Sequence, residues 1–189
     1  MDRRRLAALP DFRQLTDAEA AQILDPATSK TCNETIEWQE ALPEDRRVEV
    51  RFRARIFNPM DETLWMVGRI NRDHPERSHW MLVWGDKAQY EQPVNLRRLD
   101  LRDRHKNPDG EAWDRRTHKH RWSWSSGNAW AYTPTDIPHD PEPLPVGPDD
   151  YRAVYEAFAH ECGVALGRDY KWADPDLSTA AARPLWEVP

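Results

Sequence analysis

Residues 48–56 alternate strictly between apolar and charged side chains, and this alternation constrains the fold more than any other feature of the chain. The apolar positions are Val48, Val50, Phe52, Ala54 and Ile56. Glu49 and three arginines (Arg51, Arg53 and Arg55) stand between them. Because successive side chains of a strand point to opposite faces, the segment predicts a β-strand with one buried face and one arginine-rich face.

Further short extended segments, separated by turn residues, follow this strand. Residues 63–70 are predicted to return alongside it, and residues 79–84 form a short apolar run suited to a central strand. Residues 88–101 give another extended segment, in which Pro93 marks an edge or a bulge. Regular short strands between turns predict an antiparallel meander.

Two helices are predicted to flank the strands. Thr16 and Glu19 have the spacing of a capping box, which predicts a short helix that ends before Pro26, with a loop over residues 25–35. Near the C-terminus, helical spacing predicts a longer helix that ends at Gly163. Its apolar positions are Tyr151, Val154, Tyr155, Phe158 and Cys162.

We therefore predict a single α+β domain over residues 1–189. It consists of a curved antiparallel sheet of about five to seven strands, with a short N-terminal helix and a longer C-terminal helix packed on it. Residues 1–14 and 174–189 are predicted to be loose ends. Six of the fifteen positions from 134 to 148 are proline, which predicts an extended connector.

Composition and charge narrow the class of protein. The net charge of −6 argues against a generic nucleic-acid binder, yet residues 97–121 hold nine Lys and Arg against five Asp and Glu. Such local basicity either steers an anionic partner to one face or is a solvated surface. No run approaches the roughly 18 apolar residues of a membrane span. Two cysteines are too few for a disulfide scaffold, so the prediction is a cytoplasmic protein without a membrane segment.

Residues 95–134 hold three of the seven histidines and four of the ten tryptophans. His118 and His120 lie two apart on a predicted strand and therefore point to one face, where His105 from the preceding turn could join them. The three imidazoles suit metal-free phosphodiester cleavage, with His105, His118 and His120 as acid and base. They also suit zinc, iron or manganese. The third interpretation is a purely structural role for the histidines. Asp100 or Asp109 could orient an imidazole in either kind of site. No cofactor is predicted.

The arginines are the candidate phosphate ligands. We assign this role to Arg51, Arg53, Arg98 and Arg121. Guanidinium groups on one strand face repel one another unless carboxylates or phosphates lie opposite, so salt bridges remain the alternative. The nearby Trp122, Trp124 and Trp130 would be either a stacking platform for bases or aromatic core.

The central motifs resemble an uncharacterised prokaryotic family, described only as a domain of unknown function. They are His-x-Asn-Pro-Asp-Gly at 105–110, His-x-His at 118–120 and Trp-Ala-Tyr-x-Pro at 130–134. Lys119 departs from the aliphatic residue of similar sequences and argues against burial of the second face of its strand. The resemblance implies no settled activity, although the gene neighbourhoods of such proteins suggest phage-defence or toxin–antitoxin roles by association.

Three functional hypotheses follow. The first is a nucleic-acid-acting, RNA-directed protein of a bacterial or phage defence or toxin–antitoxin system, with a histidine-based site. The second is a non-enzymatic antitoxin or inhibitor that binds a basic protein partner encoded by a neighbouring gene. The third is a small metal-dependent enzyme that uses the same histidines.

Overall fold

The computed structural model describes residues 15–41, 49–60, 62–85, 93–135 and 148–178. The helices are α1 (Asp17–Leu24) and α2 (Pro148–Glu161). The strands are β1 (Lys30–Cys32), β2 (Thr35–Ile36), β3 (Gln39–Ala41), β4 (Glu49–Ile56), β5 (Leu64–Asn71), β6 (Ser78–Trp84), β7 (Val94–Lys106), β8 (Ala112–Arg121), β9 (Ala131–Tyr132), β10 (Val164–Leu166) and β11 (Lys171–Trp172). None of the helices in these ranges is long and apolar enough to cross a membrane.

Seven strands, β3 to β9, form one sheet in which the spatial order is the chain order. Every neighbouring pair in this sheet is antiparallel. The sheet is open, with β3 and β9 at its edges. The predicted α+β fold, with a short N-terminal and a longer C-terminal helix, is confirmed.

The core face of this sheet packs against α2. Phe52 of β4 lies edge-on to Tyr155 of α2, with ring centroids 5.4 Å apart, and to Trp38 at 5.0 Å. The ring of Phe52 occupies the space above Gly68 on β5, because a Cβ at that position would lie 2.2 Å from its Cε1 atom. Val50, Phe52, Ala54 and Ile56 of the alternating segment are thus buried in the core as predicted, and Val48 lies outside the described residues.

The capping box at the start of α1 has the expected geometry. The backbone N–H of Glu19 donates to Oγ1 of Thr16 over 3.2 Å, and the backbone N–H of Thr16 donates to Oε2 of Glu19 over 2.8 Å. These two bonds satisfy donors that the first helical turn would otherwise leave unpaired.

The predicted loop over residues 25–35 is wrong in part. β1 and β2 lie in this region, and they pair in parallel with β10 and β11, which follow α2. Gly163, at φ 66°, turns the chain out of α2 and back toward β1. Strands of two or three residues are too short to show a periodic pattern, so the sequence gives no signal for them.

Element boundaries shift elsewhere too. The extended segment predicted at 88–101 is β7, which runs from Val94 to Lys106, and residues 86–92 lie outside the described residues. The predicted ends at 1–14 and from 179 onward, and the connector from 136 to 147, also lie outside them.

Candidate functional site

One row of side chains crosses the outer face of the sheet, opposite α2. In strand register, Arg51 lies opposite Arg69, Arg69 opposite His79, His79 opposite Asp100, and Asp100 opposite His118. Residues that are directly opposite share a face. The row therefore runs from two arginines at one end to a histidine–aspartate cluster at the other.

The arginine end of the row lies in an open cleft of about 1050 Å³, here called the arginine cleft. Its basic side chains are Arg51, Arg53, Arg69, Arg98 and His79, and its acidic side chains are Glu34, Glu37 and Glu49. The guanidinium of Arg53 stacks on the ring of Trp65, 3.7 Å from its centroid. The cleft thus brings together four guanidinium groups from β4, β5 and β7.

Asp100 joins the cleft to the buried end of the row. Its Oδ1 atom accepts a hydrogen bond from Nδ1 of His79 over 2.9 Å and one from Nε of Arg98 over 2.6 Å. Its Oδ2 atom faces Nε2 of His118 at 3.3 Å and Nε2 of His120 at 3.4 Å. The carboxyl group is only 1% exposed, so it meets these four side chains in place of solvent.

Backbone carbonyls fix the orientation of each imidazole. Nδ1 of His118 lies 2.8 Å from the carbonyl oxygen of Arg116, and Nδ1 of His120 lies 2.9 Å from that of Asn128. Nε2 of His105 lies 2.9 Å from the carbonyl oxygen of Ala129. A carbonyl oxygen only accepts, so each of these three nitrogens carries the hydrogen and donates it.

Burial and charge shift two ionisation equilibria in the cluster. Burial alone would raise the pKa of Asp100, but the facing imidazoles of His118, His120 and His79 and the charge of Arg98 outweigh it and hold that pKa well below its usual range. Burial lowers the pKa of His120, although Asp100 opposes this effect. The cluster therefore favours an ionised Asp100 and a neutral His120.

Two irregularities in the β7–β8 hairpin bring His105 into the cluster. By plain alternation His105 would point to the core face, away from His118. The register shifts between Asp100 and His105, and two non-glycine residues, Arg102 and Arg115, adopt positive φ angles of 49° and 54°. Such bulges rotate the distal part of a hairpin, and His105 here lies 4.6 Å from His120 between ring centroids.

Asn107, two residues after His105, binds the chain segment that covers the histidines. Asn107 accepts from the backbone N–H of Ala131 over 2.8 Å and donates to the carbonyl of Ala131 over 3.1 Å. Together with the bond from His105 to Ala129, this fixes residues 122–130, the tryptophan loop, over β8. His118 and His120 are consequently 0% exposed.

The structure brings some of the predicted site residues together and separates others. His105, His118 and His120 form one cluster, in which one ring nitrogen of each lies within 4.8 Å of the others. Arg51, Arg53 and Arg98 share the arginine cleft, whereas Arg121 lines a smaller cavity beside α1. Of the three tryptophans, Trp122 packs partly on the core, while Trp124 and Trp130 are exposed.

Sequence reasoning missed His79 and Arg69 and gave Asp100 only a minor part. Both missed residues lie on strands that were correctly predicted, at positions that face away from the core. The sequence does contain a sign of both residues. Arg69 and His79 are polar residues within strands β5 and β6, which are otherwise largely apolar. The strand register, which aligns them with Arg51 and Asp100, cannot be read from either strand alone.

Within the described ranges, two groups of side chains offer metal ligands. One is His105, His118 and His120; the other is His79, Asp100 and Asp103. Asp100 links the groups, because one of its oxygens faces each of them.

Residues 86–164 match a family of unknown function, DUF6978. The matched segment contains β7, β8, β9 and α2, and with them His105, His118, His120 and Asp100. The expected resemblance to an uncharacterised family is confirmed. No curated protein and no solved structure matches the chain.

Proposed function

We propose that this protein binds RNA, with the phosphate groups held in the arginine cleft. The observation that carries the proposal is the placement of Arg51 directly opposite Arg69 on neighbouring strands. Like charges in this position repel and destabilise the pair of strands. Among the described residues, no carboxylate lies within ion-pair distance of either guanidinium.

A phosphate group would remove this repulsion. Guanidinium groups bind phosphate oxygens in a planar, bidentate manner, and two of them facing each other match one phosphodiester. The salt bridges that the sequence left as the alternative for Arg51 and Arg53 do not form within the described part of the chain. The cleft is also open to solvent, and its volume of about 1050 Å³ lies at the upper end of the range for small-molecule sites. An open cleft of this size can hold a segment of a polymer.

The acidic side chains in the cleft favour RNA over DNA. Glu34, Glu37 and Glu49 lie beside the arginines. Carboxylates repel phosphates, but they accept hydrogen bonds from the 2′-hydroxyl of ribose, which DNA lacks. A cleft that contains both arginines and glutamates therefore favours RNA over DNA, because DNA has no 2′-hydroxyl groups to donate to the glutamates.

Binding, rather than cleavage, is the function that this geometry supports. His118 and His120 are fully buried, and both Nδ1 atoms are engaged by carbonyl oxygens. A general acid or base has to reach the reacting proton directly or through one water molecule. His79 is the one described histidine that lines the cleft, and its Nδ1 is bonded to Asp100.

The test is fluorescence anisotropy with a labelled, mixed-sequence single-stranded RNA and its DNA counterpart. We expect Arg51→Gln combined with Arg69→Gln to weaken RNA binding and to reduce the slope of log K against log salt by about 0.7 for each phosphate that the variant no longer neutralises. Arg104→Gln combined with Arg121→Gln is the matched control, because it removes the same charge outside the cleft.

Equal losses of affinity in the two double variants would show that RNA is attracted non-specifically by positive charge, which would contradict the proposal. The absence of RNA binding by the parent would contradict it as well. The same RNA, incubated with the protein in excess chelator, is expected to remain intact on a denaturing gel. Cleavage of the RNA in this condition would contradict the binding proposal and favour the metal-free nuclease of the first hypothesis.

A further inference from the structure

Three buried atoms at the end of the cross-sheet row face one another without hydrogen-bond partners in the described part of the chain. They are Oδ2 of Asp100 and the Nε2 atoms of His118 and His120. Both Nδ1 atoms carry the ring hydrogen, since each faces a carbonyl oxygen. In neutral rings the Nε2 atoms therefore present lone pairs to a carboxylate oxygen, so three acceptors converge.

An arrangement of buried acceptors is stable only with a positive centre among them, either a proton or a metal ion. The two separations, 3.3 and 3.4 Å, exceed the roughly 2.7–2.9 Å of a charge-assisted hydrogen bond. They match the spacing of ligands around a tetrahedral metal ion, which is about 3.3 Å for bonds of about 2.05 Å. The distances therefore favour a metal ion.

We propose that Asp100, His118 and His120 bind one divalent transition-metal ion, zinc by preference, with His105 as the fourth ligand. His105 donates through Nε2 to Ala129, which leaves Nδ1 as its free nitrogen. One ring nitrogen from each of His105, His118 and His120 lies within 4.8 Å of the other two, so His105 is the described histidine placed to complete the set. Three imidazoles and one carboxylate form a common ligand set for zinc.

The surroundings of these ligands are those of a metal centre. A ligating histidine usually donates its other N–H to a carbonyl or a carboxylate, which fixes its tautomer, and all three histidines here do so. The second oxygen of Asp100 is held by His79 and Arg98. An ion in this position would have no solvent-exposed ligand atom on Asp100, His118 or His120, so its role is structural: it fastens β7 and β8 under the tryptophan loop.

The test uses the full chain, purified without a histidine tag and stripped with a chelator. We expect the parent to bind one Co²⁺, with the intense visible absorption of tetrahedral cobalt, and Zn²⁺ to displace it. Metal content by mass spectrometry should reach one Zn²⁺ per chain. Zn²⁺ should also raise the midpoint of thermal unfolding, because a ligand that binds only the folded state stabilises it.

His120→Ala and Asp100→Asn are expected to weaken Zn²⁺ binding more than about 100-fold. Removing a group that only hydrogen-bonds a metal ligand costs up to about 100-fold in affinity, and these variants change the ligands themselves. His74→Ala and His160→Ala, on exposed histidines, are the matched controls. Absence of a tetrahedral cobalt spectrum in the parent would overturn the proposal, and this result does not depend on whether any variant folds. Equal metal binding by the ligand variants and the controls would overturn it as well. Neither measurement involves RNA, so this proposal and the binding proposal fail separately.

Discussion

Lys119 lies on the core face of β8 and forms an ion pair with Glu161 in the last turn of α2. The expectation that a lysine at this position argues against burial is wrong, since Lys119 is only 3% exposed. A charged group is tolerated in such a place when it is paired. The ion pair thus connects the strand that carries His118 and His120 to the helix on the opposite face of the sheet.

Glu161→Ala is expected to lower the free energy of unfolding by about 1–3 kcal/mol, because the substitution removes a carboxylate from a buried ammonium group. Urea denaturation of parent and variant measures this difference. Asp114→Ala is the control, since its pair with Arg104 is exposed and is worth no more than about 1 kcal/mol. Equal losses of stability in the two variants would show that the ion pair of Lys119 adds no stability.

Arg69→Gln is expected to stabilise the free protein by about 0.2–1 kcal/mol, because it removes the repulsion between Arg69 and Arg51. The gain should shrink at high salt, which screens exposed charges. Chemical denaturation at low and high ionic strength tests both statements. Arg53→Gln should have the opposite sign, since Arg53 faces Val67 in register and stacks on Trp65. A loss of stability in Arg69→Gln would mean that the two arginines do not repel each other.

Gly68→Ala is expected to destabilise the protein by about 1–3 kcal/mol through overpacking. The new methyl group would overlap the ring of Phe52, which cannot move because Trp38, Trp80 and Tyr155 surround it. Thermal unfolding measures the loss. Phe52→Leu in the same chain should restore part of it, and a double variant whose losses simply add would contradict the steric explanation.

Stability is expected to fall as the pH rises above about 10. Burial raises the pKa values of the Tyr151, Tyr155 and Tyr170 hydroxyls, each reinforced by nearby groups that bear or can acquire negative charge. Above the unfolded pKa of about 10 the unfolded chain loses these protons while the folded protein keeps them, so the free energy of unfolding decreases with pH.

Urea midpoints between about pH 8 and about pH 11 measure this slope. Tyr155→Phe is the informative variant, because the hydroxyl of Tyr155 is buried and its hydrogen-bond acceptor among the described residues is Sγ of Cys32, at 3.5 Å. The variant should have a shallower slope than the parent, and an unchanged slope would remove Tyr155 from the explanation.

The fold followed from local patterns, whereas the candidate site depends on relationships between strands. Alternation in β4 and helical spacing in α2 predicted which of their faces are buried, since each pattern lies within one segment. The sequence predicts the convergence of His105 with His118 only if the turn that carries His105 lies beside the His118 strand. This convergence depends on Arg102 and Arg115 at positive φ, which is an uncommon conformation for a residue other than glycine and leaves no mark in the sequence.

The parallel pairing of β1 with β10 joins positions as distant as Lys30 and Val164. The entropy of closing so long a loop opposes contact until the intervening sheet is formed. These short ladders are therefore expected to be among the last contacts made on the folding pathway. During synthesis, β1 and β2 have no strand to pair with until residues 164–172 have left the ribosome, so these two ladders form only after all strands of the seven-stranded sheet have been made.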